Sequence, residues 1–157
     1  MENSTAHNNS PKIKEPEKLL GYLDFFKSMK EEDYIRYDAD HNFEYTPWFY
    51  QFIQQLFESN MVEDYEQLVD NITVEGADEQ QRCEAFSNWM KELNKTLSRP
   101  CEMRNTDINF LRKAFLTVIR MEKIFPGSWG IDVETGTWLK LLKRFKELYD
   151  AGEIETE

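Results

Sequence analysis

Residues 46–59 read TPWFYQFIQQLFES, and the reading of this stretch decides the fold. Thr46 offers a helix N-cap. Pro47 takes the first helical position, where its missing N–H is one that a helix start leaves unpaired anyway. Trp48, Phe49, Phe52, Ile53, Leu56 and Phe57 then recur at helical spacing. Four of these six are rings, so this helix is predicted to be the most buried of the chain, ending near Ser59 and Asn60. A helix this apolar requires other apolar faces around it, and the flanking sequence supplies them.

Upstream, Leu19, Leu20, Tyr22, Leu23, Phe26 and Met29 predict one helix over 16–29, with Pro16 in its first turn. Gly21 weakens that helix by about 1 kcal/mol relative to Ala, and its missing side chain would let a neighbouring helix approach. Over 33–45, Tyr34, Ile35, Tyr37, Phe43 and Tyr45 flank the polar stretch DADHN. Aromatic and β-branched residues suit strands, so the segment reads as a loop with extended pieces or a short hairpin. Downstream, Met61, Val62, Tyr65, Leu68 and Val69 mark a short amphipathic piece ahead of Gly76.

A long helix is predicted over 78–97, with Cys83, Phe86, Trp89, Met90, Leu93 and Leu97 on its apolar stripe. Pro100 stops it, because the residue before a proline avoids helical angles. Another runs from Thr106 to before Phe125, with Asp107 complementing its N-terminus and Ile108, Leu111, Phe115, Val118 and Ile119 facing inward. Gly127, Gly130 and Gly136 predict a defined loop over 126–136. A last helix over 137–149 carries Trp138, Leu141, Leu142, Phe145, Leu148 and Tyr149. The architecture implied is mainly α, a single compact domain of about five amphipathic helices over 17–150. Residues 1–16, polar and holding Pro11 and Pro16, bury too little to offset their ordering entropy and are expected to be disordered. Residues 151–157, AGEIETE, are expected to form a frayed acidic tail.

At 157 residues the chain has the size of one domain, and 40% hydrophobic with 14% aromatic residues is enough for a ring-rich core. Nineteen Lys and Arg against thirty Asp and Glu leave a net charge of −11, which argues against direct nucleic-acid or anionic-membrane binding by the whole surface. No apolar run approaches the ~18–20 residues of a membrane span. The first ten residues are polar, unlike a secretory signal, so a cytoplasmic location is expected. There Cys83 and Cys101 would be reduced thiols.

The residues that carry chemistry are few. Asp38-Ala-Asp40-His41-Asn42 opens like a calcium loop, but Phe43 and Phe49 stand where Gly and an acid are needed, so a polar turn is the reading. Cys83, Cys101 and His41 lack the paired spacing of zinc ligands. Cys83 reads as a buried small apolar residue. A Cys101–His41 nucleophile pair has no supporting motif. No phosphate-binding loop, dinucleotide fingerprint or nucleophile elbow is present. No catalytic, cofactor or metal residues are assigned.

Charge is unevenly placed. Residues 61–79 hold seven acids, among them Glu63, Asp64, Glu66 and Asp70, and no Lys or Arg. Residues 112–146 hold eight bases against three acids. These are expected to be solvated faces, but the acidic segment also suits a basic partner surface, since spaced anions imitate a phosphate backbone.

Residues 106–127, TDINFLRKAFLTVIRMEKIFPG, and 136–150, GTWLKLLKRFKELYD, resemble a family of small bacterial and phage proteins, domain of unknown function 6508. Asp107, Ile108, Leu111, Arg112 and Lys113 match its Asp-Ile-x-x-Leu-Arg-Lys start. Arg120, Glu122 and Gly127 match its Arg-x-Glu-Arg-Phe-x-x-Gly segment, with Lys123 and Ile124 in place of Arg and Phe. Gly136 and residues 142–146 match its end. The upstream outline is similar from about residue 17, without specific motifs. The resemblance implies a bacterial or phage cytosolic origin and supplies no reaction. It draws attention to Arg120 and Glu122 as candidate interaction residues, Arg120 as a tie for the 126–136 loop.

Taken together, the sequence reads as a non-catalytic module whose partner is another protein. The alternative is an acidic phage-type inhibitor, a nucleic-acid mimic acting on a nucleic-acid-binding or defence protein through Glu63, Asp64, Glu66 and Asp70.

Overall fold

Trp138 has no exposed surface, and rings from three other helices converge on it. Phe26, Phe49, Phe52 and Phe115 lie with centroids 6.3, 5.8, 5.4 and 6.4 Å away. Its indole N–H donates to the carbonyl of Trp129 at 3.0 Å, so the one polar atom in this apolar centre is paired. The computed structural model describes residues 12–62 and 76–157.

Within them, α1 (Pro16–Leu20), α2 (Leu23–Lys27) and α3 (Glu31–Tyr34) lead into a hairpin of β1 (Ile35–Tyr37) and β2 (Phe43–Tyr45). Then come α4 (Pro47–Glu58), α5 (Glu79–Ser98), α6 (Pro100–Met103), α7 (Ile108–Ile124), α8 (Ser128–Glu134) and α9 (Thr137–Asp150). The fold is mainly helical with one two-stranded antiparallel sheet. In α4, Phe49, Phe52, Ile53 and Leu56 are buried as the sequence predicts, while Phe57 is exposed. In α7 the buried run from Ala114 to Ile119 spans the whole circumference, which makes it the central helix.

Helix starts follow the sequence closely. Asp78 and Asp107 each accept a hydrogen bond from the amide three residues on, Gln81 at 2.8 Å and Phe110 at 2.9 Å. Thr46 occupies the N-cap position of α4, but its hydroxyl donates to the Asp33 carbonyl at 2.8 Å instead. The Trp48 indole donates to that same carbonyl. Both bonds fasten α4 to α3 and fix where the hairpin begins.

Five expectations are corrected. The single helix over 16–29 is two, because Tyr22 donates to Leu19, a three-residue step that breaks the ladder after Gly21. A Cβ added at Gly21 would meet only its own turn, Lys18 O at 3.4 Å and Glu17 O at 3.6 Å, so this glycine serves the break and not a helix approach. The 126–136 loop contains α8, set off by Gly127 and Gly136 at φ 98° and 79°. A one-turn helix, α6, follows Pro100 where only a stop was read. Cys83 is exposed, because α5 buries its C-terminal part, Trp89, Leu93 and Thr96.

The fifth correction concerns the ends. Ile13 is 1% exposed; its amide donates to Glu155 O at 2.9 Å and its carbonyl accepts from Glu157 at 3.0 Å. Lys14 donates to Ser59 O, and Ile154 is buried. Residues 12–16 and the acidic tail are therefore joined in a parallel bridge, a pairing across the whole chain that no local composition encodes. Residues 1–11 lie outside the described residues, as do 63–69 of the short amphipathic piece, whose first members Met61 and Val62 are buried. Ile13→Ala should destabilise the protein by ~2–4 kcal/mol, the cost of truncating a core aliphatic. Urea unfolding checks this, and a loss under 0.5 kcal/mol would mean the bridge is not held in solution.

Candidate interaction surface

The last turn of α7 places Glu122 beneath the connection to α8. Gly127, with its positive φ, reverses the chain there, so that the first amides of α8 point back at the carboxylate. Gly127 N donates to Glu122 Oε2 at 2.8 Å and Trp129 N to Oε1 at 2.9 Å. The Tyr45 hydroxyl, from β2, donates to Oε1 at 2.8 Å and in turn accepts from Gly130 N at 3.3 Å. One half-buried carboxylate thus ties a helix end, a turn, the next helix and the hairpin, and its charge suits the helix start it faces. Burial, with the negative Glu122 beside it, holds the Tyr45 phenol well above its ordinary pKa, so it stays a donor.

Gly130 fits this cluster by having no side chain. A Cβ there would meet Ile35 Cδ1 at 3.1 Å and Tyr34 Cε2 at 3.3 Å, so glycine lets the hairpin base lie on α8. Tyr45 and Trp129 pack at 5.1 Å between centroids, and Phe49 stacks on Trp129 at 5.6 Å. The polar cluster is in this way sealed from below by rings.

Above it the surface is apolar. Ile124, Phe125 and Ile131 are 59, 61 and 58% exposed, and Tyr37 and Phe43, cross-strand partners at the hairpin tip, are 56 and 37% exposed. A Cβ on Gly127 would meet the Phe43 ring at 3.8 Å, which places the hairpin tip against the turn. Ile124 and Phe125 lead into the turn and Ile131 lies one helical turn beyond Gly127, while Phe43, with Tyr37 across the strand from it, approaches from the hairpin.

Arg120 and Glu122, the sequence-predicted pair, both lie half-buried on the last two turns of α7. Glu122 and Tyr45 accept from the amides of Gly127, Trp129 and Gly130, and the Trp129 indole donates to Ile119 O. Tyr45 lies in the segment whose sequence suits a loop or a short hairpin, and nothing there marks it as a site residue; no spacing rule links it to a carboxylate 77 positions away. Glu63, Asp64, Glu66 and Asp70 lie outside the described residues. His41 sits exposed at the hairpin turn, where Asp38 Oδ1 accepts from the amides of Asp40 and Asn42, the polar turn expected of DADHN. Cys101 is exposed on α6, with Arg104 donating to its sulfur at 3.3 Å. Among the described residues nothing joins His41 to Cys101, and no cluster of three or more His, Cys, Asp or Glu is placed to hold a metal. An open cleft of about 370 Å³ lies by Gly21, Tyr22, Phe25 and Trp48; neither His41, Cys101 nor Arg120 lines it.

The segment from the middle of α5 through α9 matches a known family model. Residues 85–151 match a family of unknown function (DUF6508). No curated protein and no solved structure matches the chain. The matched DUF6508 segment contains Glu122, Gly127 and Trp129, whereas Tyr45 and the rest of the hairpin lie upstream of it. No described helix is long and apolar enough to cross a membrane.

Asp132, on α8, is the carboxyl group that burial displaces here. Burial pushes its carboxyl up to about 6, the Thr137 hydroxyl opposes this, and the negative Glu122 adds to it. A folded-state pKa above the unfolded ~3.9 means the folded protein holds the extra proton between those values. Stability should therefore fall as pH rises from about 4 to above 6, and Asp132→Asn should melt higher than wild type at pH 7.5 with the gap closing by pH 4. Melting curves across that range check it, and a gap independent of pH would remove Asp132 as the cause. Separately, Glu122→Gln turns an amide donor toward a site where three donors converge. It should cost ~2–3 kcal/mol in urea unfolding, more than Tyr45→Phe, which removes one donor.

Proposed function

We propose that the protein is a non-catalytic interaction module that binds another protein through the apolar face around Gly127. The observation that carries this is that Ile124 and Phe125 stand exposed where α7 enters the turn, with exposed Phe43 against Gly127. Exposed apolar side chains beside a turn that is already held offer a partner anchors that need little further ordering. The ionisable groups the fold brings together point the same way. Both Glu122 oxygens and the Tyr45 hydroxyl are engaged in hydrogen bonds within the chain, which suits a structural clamp.

The test is site-directed. A photo-cross-linking residue at position 125 should capture a partner that the same residue at Phe57 does not, and the partner, once purified, should bind the wild type directly. Phe125→Asp with Ile131→Asp should weaken that binding by about tenfold or more, the usual effect of losing central anchors, with melting temperature unchanged. Equal binding by the double variant, or equal capture from positions 57 and 125, would sink the assignment of this face.

A further inference from the structure

We propose that the cleft between α1–α2 and α4 binds a proline-rich peptide in the polyproline II conformation, with a basic residue flanking the prolines. The site shares no residue with the face around Gly127, so the two readings stand or fall separately. Tyr22 and Phe25 line one wall, and Trp48, Gln51 and Gln55 the other. The rings of Tyr22 and Phe25 lie 6.3 and 5.4 Å from that of Trp48, each inclined 22° to its plane. Rings so nearly parallel form a platform; they do not face one another across a gap, as a cage for a quaternary ammonium requires. The Trp48 indole N–H is bonded to Asp33 O, so the platform is held in place before a ligand arrives. From Trp48 to Gln55 the helix rises ~10 Å, and one polyproline II turn rises ~9 Å.

The polar groups of the cleft select this backbone. Among the described residues no hydrogen bond engages the Gln51 and Gln55 amides or the Tyr22 hydroxyl, whereas the nearby Gln54 donates to Glu58 at 2.7 Å. Polyproline II has no internal hydrogen bonds, and proline has no N–H. Such a peptide presents unpaired carbonyls beside compact rings, which a groove of aromatic faces and free donors recognises. A helical ligand has already paired its carbonyls, and an added strand needs a sheet edge, which two helical walls lack. The charge of the rim sets the flank. Lys18, the cation that lines the cleft, is paired with Glu15 at 2.5 Å, and Glu58 acts on both Lys18 and Tyr22. With a chain charge of −11, this rim repels the phosphates of a nucleotide and attracts Lys or Arg. Gly21 keeps the cleft open. Its φ of −60° is one that any residue adopts, and a Cβ there would meet only its own turn, so a larger side chain would occupy cleft space.

An NMR titration of the full chain with synthetic peptides tests this. A capped peptide of about eight prolines followed by two arginines should shift the Trp48 indole and the Gln51 and Gln55 side-chain amide resonances saturably. It should bind about tenfold tighter than a Gly/Ser peptide with the same arginines, the gain from a pair of ring contacts. Replacing its arginines with glutamates should weaken binding, most at low salt. Gly21→Gln should abolish the shifts without lowering the melting temperature, since glutamine is the better helix former. Should that variant alter the fold, Phe25→Ser with Gln51→Ala changes the same cleft at exposed positions, and it should weaken binding about tenfold. No saturable shift, or equal binding of the Gly/Ser or the glutamate peptide, overturns the proposal. So does binding that survives both variants, because it uses another surface. Oligothymidylate that shifts the same resonances more tightly than the proline peptide would make the cleft a base-stacking site and overturn it as well.

Discussion

The carboxylate of Glu122 is the constraint on which the rest of the structure turns. An ionised group pulled partly from water is costly unless donors replace its hydration. Here two backbone amides and a phenol do so. Because those donors belong to the turn, to α8 and to the hairpin, satisfying one residue fixes the relative position of three segments. Charge-assisted bonds are short and directional, so they set the geometry as well as contributing energy. Loss of the carboxylate would leave the amides of Gly127 and Trp129 pointing at an apolar wall, which makes the cluster cooperative.

Beneath that clamp the aromatic core does a different kind of work. Trp138 on α9 and Trp129 on α8 are linked by an indole-to-carbonyl bond, and Trp129 in turn donates its indole N–H to Ile119 O on α7. The rings fill volume without direction, and these hydrogen bonds supply the direction. Thr117 plays a similar part on the far side of α7, accepting from the Trp89 indole at 2.9 Å while donating back to Lys113 O. Arg144 fixes the entry to α7: its guanidinium reaches Thr106 O from the buried edge of α9. This explains structurally why an arginine stands within an otherwise lysine-rich helix face, since a forked planar donor can hold a single carbonyl through two N–H groups.

Much of this was legible in the sequence, and the boundary between legible and hidden is physical. The rings of 46–59, the helix starts near Asp78 and Asp107, and the break before Pro100 are local effects that a reading of spacing and backbone chemistry reaches. Glu122 was singled out by motif resemblance, while its partner Tyr45 was not. That bond spans 77 positions and depends on where the hairpin lands, which the strands do not specify by themselves. Ile13 is the sharper instance. A lone aliphatic in a polar terminal segment looks too isolated to order its neighbours, yet the bridge to Thr156 and the bond from Lys14 to Ser59 supply the missing contacts. Gly21 and Gly130 show the same limit in miniature. Both could be read as sites of close approach. Only Gly130 is one, because only there does another element arrive within van der Waals distance.

The placement of the clamp also bears on why the apolar face stays intact as a surface. Exposed Phe125 and Ile131 would ordinarily be drawn inward if the backbone beneath them could move, since burial of each side chain is worth roughly 1.5–3 kcal/mol. Gly127 and the α8 amides are held to Glu122, and the space below is already filled by Tyr45, Phe49 and Trp129. Inward collapse would have to break charge-assisted bonds and displace packed rings, and the two costs together exceed the gain. The rings above the turn therefore stay outside because the polar cluster below has no room and no tolerance for them. The outward position of Phe125 and Ile131 is in this way tied to the filled space beneath them.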